Sequence, residues 1–166
     1  MTAGRIGPEQ FGRAVGARVT RTQDPAGALC IVGADVLDVS GAGLILMSRG
    51  RSMGCIGFSD SATEVVEQLE YTLGEGPCLD ACRTKSPVGE PHLDRTDVRW
   101  PAFAPAAVAV AVRAAFGFPL LVGGICIGAL NLYQHEPGRL TADQFANALV
   151  VADVATRTGS TPASRI

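Results

Sequence analysis

Apolar residues recur along this chain at two spacings, and each predicts a different kind of element. The clearest helical face is Ala62, Val65, Val66, Leu69 and Leu73, behind a Ser61-x-x-Glu64 capping box. A second helix is predicted from Asp24-Pro25, a capping carboxylate followed by proline, to about Val39, burying Leu29, Val32 and Val36. Thr141-x-x-Gln144 is another capping box and opens a helix on Phe145, Ala148, Leu149, Ala152 and Ala155. Pro8 to Val19 is a weaker pattern, loosened by Gly12 and Gly16. Trp100-Pro101 starts a narrow Ala/Val helix to about Val110.

The remaining apolar runs are short and come in pairs. Gly43–Ser48 and Arg51–Ser59 flank an Arg49-Gly50 turn, and Val112–Leu121 and Ile125–Tyr133 flank Val122-Gly-Gly124. Pro87–Leu93 is short and proline-bounded, which suits an edge strand. Paired strands without βα alternation predict an α+β domain: one antiparallel sheet with helices on both faces. Residues 1–23 read as an N-terminal helical extension, 24–158 as the domain and 159–166 as a polar, disordered tail.

One stretch stands apart, Leu73-Gly-Glu-Gly-Pro-Cys-Leu-Asp-Ala81. Gly74, Gly76 and Pro77 end the helix before it and set a rigid turn. Cys78 and Asp80 follow at once, with a short helical turn expected over Leu79–Thr84.

Composition narrows the function classes. Of 166 residues 47% are hydrophobic and 18% charged, so the chain buries a substantial core. A net charge of −2 gives no electrostatic footprint for nucleic acid. Ala114 to His135 carries no formal charge, but Pro119, Gly123, Gly124 and Asn131 interrupt it, so two buried strands fit better than a membrane span. No apolar signal-peptide core opens the chain, and the five cysteines are an odd number; we expect a cytoplasmic protein with free thiols.

Gly41-Ala-Gly-Leu44, Gly74-Glu-Gly-Pro-Cys78, Arg99-Trp-Pro-x-Phe103, Val112-Arg-Ala-x-Phe116 and Ile127-Gly-Ala-Leu-Asn-Leu-Tyr133 together resemble GAF domains over roughly Asp24 to Thr156. They look most like the actinobacterial type often joined to an RNA-binding ANTAR output module. The resemblance implies a six-stranded GAF/PAS-like antiparallel sheet. One face would carry a ligand pocket, and the first and last helices on the other would commonly build a homodimer. Eight residues follow Thr158, too few for an output module, so the expectation is a stand-alone GAF domain signalling to a separate output protein.

Candidate chemistry is sparse. Cys78 and Cys82, at i and i+4, would bring their sulfurs close on a helical turn. Gly-Glu-Gly-Pro-Cys78 also resembles the cysteine segment of free methionine sulfoxide reductases, enzymes built on the same fold. That family's principal catalytic cysteine lies on the strand matching Val112–Phe116, which has none. We therefore expect no enzyme, and read Cys78 as a pocket wall. Cys78, Cys82 and His92 lack metal-site spacing and a fourth ligand. Neither histidine makes the Cys-His pair of bilin-binding GAF domains, and no Gly-x-Gly-x-x-Gly run marks a nucleotide cofactor.

In the resembled fold the loop before Trp100 is the pocket's lid. Trp100 and Phe103 would offer stacking surfaces, Arg99 and Arg113 would recognise an anion, and Asp80 and Phe116 complete the expected ligand-binding set with Cys78. For Arg99 a surface ion pair, such as one with Asp97, is the simpler reading. Ala115 and Gly117 leave either ligand space or room for a close helix. The expected function is a sensory or regulatory domain holding a small molecule. A thiol reductase and a ligand-free dimerisation module are the alternatives.

Overall fold

The Asp24 carboxylate accepts a hydrogen bond from the Gly27 amide at 3.1 Å, and the helix it caps runs Pro25–Leu37. This is one of six helices among the described residues of a computed structural model, which describes residues 7–19, 23–95 and 99–160. The chain runs α1 (Pro8–Val19), α2 (Pro25–Leu37), β1 (Gly41–Ser48), β2 (Arg51–Phe58), α3 (Ser61–Leu73) and α4 (Pro77–Thr84). It continues with β3 (Val88–Glu90), a 3-10 turn (Leu93–Arg95), α5 (Phe103–Ala109), β4 (Ala114–Val122), β5 (Ile125–Gln134) and α6 (Ala142–Ser160).

The strands form one antiparallel sheet in the order β2-β1-β5-β4-β3. It has five strands, not the six implied by the GAF resemblance. The stretch between β3 and β4 holds a 3-10 turn and α5, and its charges and its prolines at 101 and 105 offer no strand pattern. Both two-residue hairpin turns are as expected: Arg49 and Gly50 have φ 53 and 76, Gly123 and Gly124 φ 57 and 80. The α6 capping box is complete, with Thr141 N donating to Gln144 Oε1 (2.9 Å) and Gln144 N to Thr141 Oγ1 (3.0 Å). Of the expected tail, Gly159 and Ser160 continue α6, and residues 161–166 lie outside the described residues.

Core clusters cover both faces of the sheet. On one face α1, α2 and α6 bury Val15, Leu29, Leu44, Phe118, Leu132 and Val151. On the other, α3, α4 and α5 cover Val66, Phe103, Ala115 and Tyr133. α4 lies close on β4 because Gly117 has no side chain: a Cβ there would sit 2.6 Å from the Pro77 carbonyl oxygen and 3.0 Å from the Cys78 nitrogen. Both are backbone atoms and cannot swing aside. Gly117→Ala should therefore cost about 1–3 kcal/mol by prising α4 off the strand, read as a lowered urea midpoint at unchanged slope.

α3 departs from the apolar stripe predicted for it. Its buried residues are Thr63, Val66, Glu67 and Glu70, while Val65 and Leu73 are exposed. Its cap also moves one residue: Asp60, not Ser61, accepts from Thr63 N at 2.8 Å. The helix is turned so that Glu67 and Glu70 meet the sheet beside Val66, because the sheet offers them partners.

Candidate functional site

Those partners are the polar residues of β5. Alternation points Asn131 and Tyr133 to the α3 side, between Leu130 and Leu132 on the other. Asn131 Nδ2 donates to both Glu67 oxygens at 3.2 Å. The Tyr133 hydroxyl lies 2.6 Å from Glu67 Oε1 and 2.7 Å from Glu70 Oε2. Glu70 Oε1 accepts from the Cys78 amide at 3.3 Å. The Glu67 carboxylate fills the space left by Gly43, which pairs with Asn131 across β1 and β5.

The geometry fixes the proton count. A phenol has one hydrogen and can donate to only one carboxyl group. The second short O···O contact needs a proton on the other carboxyl. Glu67 already accepts from Asn131 on both oxygens, so the shared proton sits on Glu70 Oε2, and the neutral Tyr133 hydroxyl donates its hydrogen bond to Glu67. The pKa of Glu67, about 8 against about 7 for Glu70, points the other way, and the hydrogen-bond count decides between them. Burial raises both carboxyl pKa values, and for Glu67 the nearby Glu70 adds to it. The same burial and carboxyl groups push the Tyr133 hydroxyl and the Cys78 thiol well above their ordinary values. Nothing in the apolar pattern announced Glu67 or Glu70; the usable signal was Asn131 inside a strand otherwise fit for burial.

The expected site residues divide. Cys78 is buried in the first turn of α4, a protonated thiol rather than a nucleophile. Asp80 accepts from Trp100 Nε1 at 2.9 Å and from Arg83 Nη2 at 2.8 Å. Trp100→Phe removes the first of these bonds and should lower stability by about 1–2 kcal/mol, measured as a shift in denaturation midpoint. Arg99 stacks over the Trp100 ring at 4.6 Å, donates to the Gly89 carbonyl at 3.1 Å and approaches Glu90 at 3.9 Å. Its carboxylate neighbour is thus Glu90; Asp97, the partner suggested by sequence, lies outside the described residues. Phe103 is fully buried, edge-on to Trp100 with ring centroids 6.0 Å apart.

Arg113 does not join this group: it donates to the His135 carbonyl at 3.2 Å at the start of β4. Phe116 faces the opposite core, where it lines a cavity of about 320 Å³ with Pro87, Phe118 and Phe145. The expected pocket beneath Trp100 is therefore filled by side chains. Leu93, Trp100, Phe103, Val112 and Tyr133 are all buried in one cluster, and α4 occupies the space over Gly117.

Two cysteines also depart from expectation. Cys82, on α4, is joined by a disulfide to Cys126 on β5, with Cα atoms 5.6 Å apart, so Cys82 does not pair with Cys78 and the five are not all thiols. Among the described residues no group of three His, Cys, Asp or Glu is placed to hold a metal ion. No helix among them is long and apolar enough to cross a membrane.

Open space on the α3/α4 side lies beyond α4. A groove of about 990 Å³ runs between the β1–β2 turn, the end of α3, α4 and the β4–β5 turn. Cys82, Cys126 and Glu70 are among its lining residues, and Met47, Leu79 and Ile125 give it apolar surface. The frame around this groove is a five-stranded antiparallel sheet with terminal helices on one face and a short-helix layer on the other. Residues 22–157 match the GAF domain family. The chain belongs to the GAF domain family.

Solved structures share this GAF fold at low sequence identity. The GAF domain of an Acinetobacter phosphoenolpyruvate-protein phosphotransferase has a TM-score of 0.74 at 11% identity, covering 98% of this chain and 99% of that one. Free methionine-R-sulfoxide reductase from Neisseria meningitidis, solved with its substrate, has a TM-score of 0.67 at 14% identity over 100% of both chains. The chromophore-binding domain of a bacteriophytochrome from R. palustris has a TM-score of 0.63 at 11% identity, covering 95% of this chain and 62% of that one. None of the curated protein sequences matches this chain. GAF domains are a sensory and regulatory fold that takes small molecules, and the reductases show that the same frame also serves enzymes.

Proposed function

We propose that this GAF domain is a cytoplasmic sensory or regulatory module. It binds a small molecule on the α3/α4 side of its sheet, works as a homodimer and passes its signal to a separate output protein. In this reading it is of the actinobacterial type that its motifs resemble. The observation that carries the reading is the groove of about 990 Å³ beside α4, within the size range of small-molecule sites. It replaces the expected site under Trp100, which side chains fill. A non-catalytic role is supported by the burial of Cys78, by the Cys82–Cys126 disulfide and by a β4 without cysteine.

The dimer surface in this reading is the layer of α1, α2 and α6. Ile31 on α2 is 56% exposed and Leu149 on α6 44% exposed, large apolar side chains on helices whose other faces join the core. Ile31→Glu with Leu149→Glu should convert a dimer to a monomer on size exclusion with light scattering, leaving the melting curve of the fold intact. Native mass spectrometry of protein from its own host tests both claims together. A dimer carrying an added small mass supports the proposal. A dimer with no added mass reduces it to a dimerisation module, and a bare monomer ends it.

A further inference from the structure

We propose that the groove beside α4 is an anion site that takes a phosphate- or carboxylate-bearing small molecule with an apolar or aromatic body. This rests on the small-molecule reading above and names the ligand's class. Four basic residues line the groove: Arg49 and Arg51 from the β1–β2 turn, Arg83 and Lys85 from the end of α4. They converge from two segments far apart in sequence, in a chain whose net charge is −2. Among the described residues Arg49, Arg51 and Lys85 have no carboxylate within ion-pair distance, while Arg83 holds Asp80. The one acidic residue in the lining, Glu70, turns its carboxyl inward onto Tyr133 and the Cys78 amide.

Backbone conformation gives an independent reason. Arg49 has φ 53 in a two-residue turn whose next residue, Gly50, has φ 76. Asn-Gly is the inexpensive sequence for that turn, and an arginine there sits in a left-handed conformation at a cost that no ion pair among the described residues offsets. Lys85, with φ 57, caps α4 where glycine is usual. The helix C-terminus favours a cation at Lys85, but Arg49 has no such reason. The disulfide joins Cys82 to Cys126 on β5, so the cations at 83 and 85 are held over the groove before a ligand arrives. Apolar walls from Met47, Leu79 and Ile125, with Tyr71 at the rim, suit a hydrocarbon or ring body.

The test uses matched probes on the isolated chain: 2-naphthyl phosphate, 2-naphthoate, neutral 2-naphthol and inorganic phosphate, each titrated by amide NMR. Both naphthyl anions should shift amides of Arg49–Ser52, Arg83–Lys85 and Gly124–Cys126, more tightly than 2-naphthol and less so as salt rises. Phosphate over carboxylate, or the reverse, tells which headgroup the site prefers. Arg49→Asn with Arg51→Gln, and separately Arg83→Gln with Lys85→Asn, should each weaken the anions roughly tenfold and leave 2-naphthol unchanged. Asparagine at 49 and 85 tolerates the left-handed backbone, so both variants fold. If 2-naphthol binds there as tightly as the anions, or the variants change nothing, the anion class is wrong while the ligand groove stands. If no probe shifts those amides, the groove is not a ligand site and both readings fall.

Discussion

Raising the pH from about 5 to about 9 lowers the melting temperature of this domain, and Glu70→Gln removes most of the fall. The sign follows from where the carboxyl groups hold protons. In the unfolded chain both release them near the ordinary value of 4.5. In the folded chain they are raised, to about 7 for Glu70 and about 8 for Glu67. Below the unfolded value both states are protonated and the stabilising contribution is whole. Between that value and the folded ones the native state binds more protons, so this contribution shrinks as pH climbs and is fully lost above them. A retained proton is worth about 1.4 kcal/mol per pH unit in the window; because the two carboxyl groups act as one pair that shares a single proton, the loss is on the order of 3 kcal/mol, roughly 10 °C in the midpoint.

Glu70→Gln is the informative substitution because its amide reproduces the protonated acid. Its oxygen still accepts from the Cys78 amide, and its NH₂ donates to Tyr133 as the carboxyl proton did. It should flatten the melting profile and match or exceed the parent above neutrality. Glu67→Gln instead sets an NH₂ against the Asn131 NH₂ and should be the costlier change. A parent profile with no fall across this window would sink the shared-proton account. A profile flattened by Glu67→Gln and not by Glu70→Gln would move the proton to Glu67.

What was readable in advance was local. The Asp24 cap, the α6 capping box and both hairpin turns are decided by residues within a few positions of each other, and they stand where the sequence put them. The rotation of α3 was not readable because its partners lie 63 to 66 residues away on β5. A count of methyl groups sees Val65 and Leu73 but not a glutamate that will meet a tyrosine and an asparagine. Small residues at 115 and 117 were compatible with ligand space or with a close helix. The helix won because Pro77 starts α4 directly after the Gly74–Gly76 turn and its backbone lands on Gly117. Gly74-Glu-Gly-Pro-Cys78 thus ends one helix and starts another instead of aiming a loop across a pocket. The basic groove was hidden for the same reason: Arg49 and Arg83 stand far apart in sequence, and only the fold brings their segments together.

Reduction of the Cys82–Cys126 disulfide should destabilise the domain by about 2–4 kcal/mol and lower its midpoint by roughly 5–15 °C. The bond closes a loop of 44 residues, for which chain-entropy loss in the unfolded state gives roughly 4 kcal/mol as an upper figure. The midpoint with and without a strong dithiol, repeated on Cys82→Ala with Cys126→Ala, measures it. No shift in a sample shown by mass to be reduced would remove the bond from any structural role. The response should also be local. The first turn of α4 keeps the Cys78–Glu70 and Asp80–Trp100 hydrogen bonds and stays seated on Gly117. The last turn, with Arg83 and Lys85, loses its tie to β5. Hydrogen exchange should therefore speed up at residues 82–86 far more than at 77–80. Disulfides in a reducing compartment are usually transient and redox-sensing; here the freed segment is the one that carries half of the groove's cations.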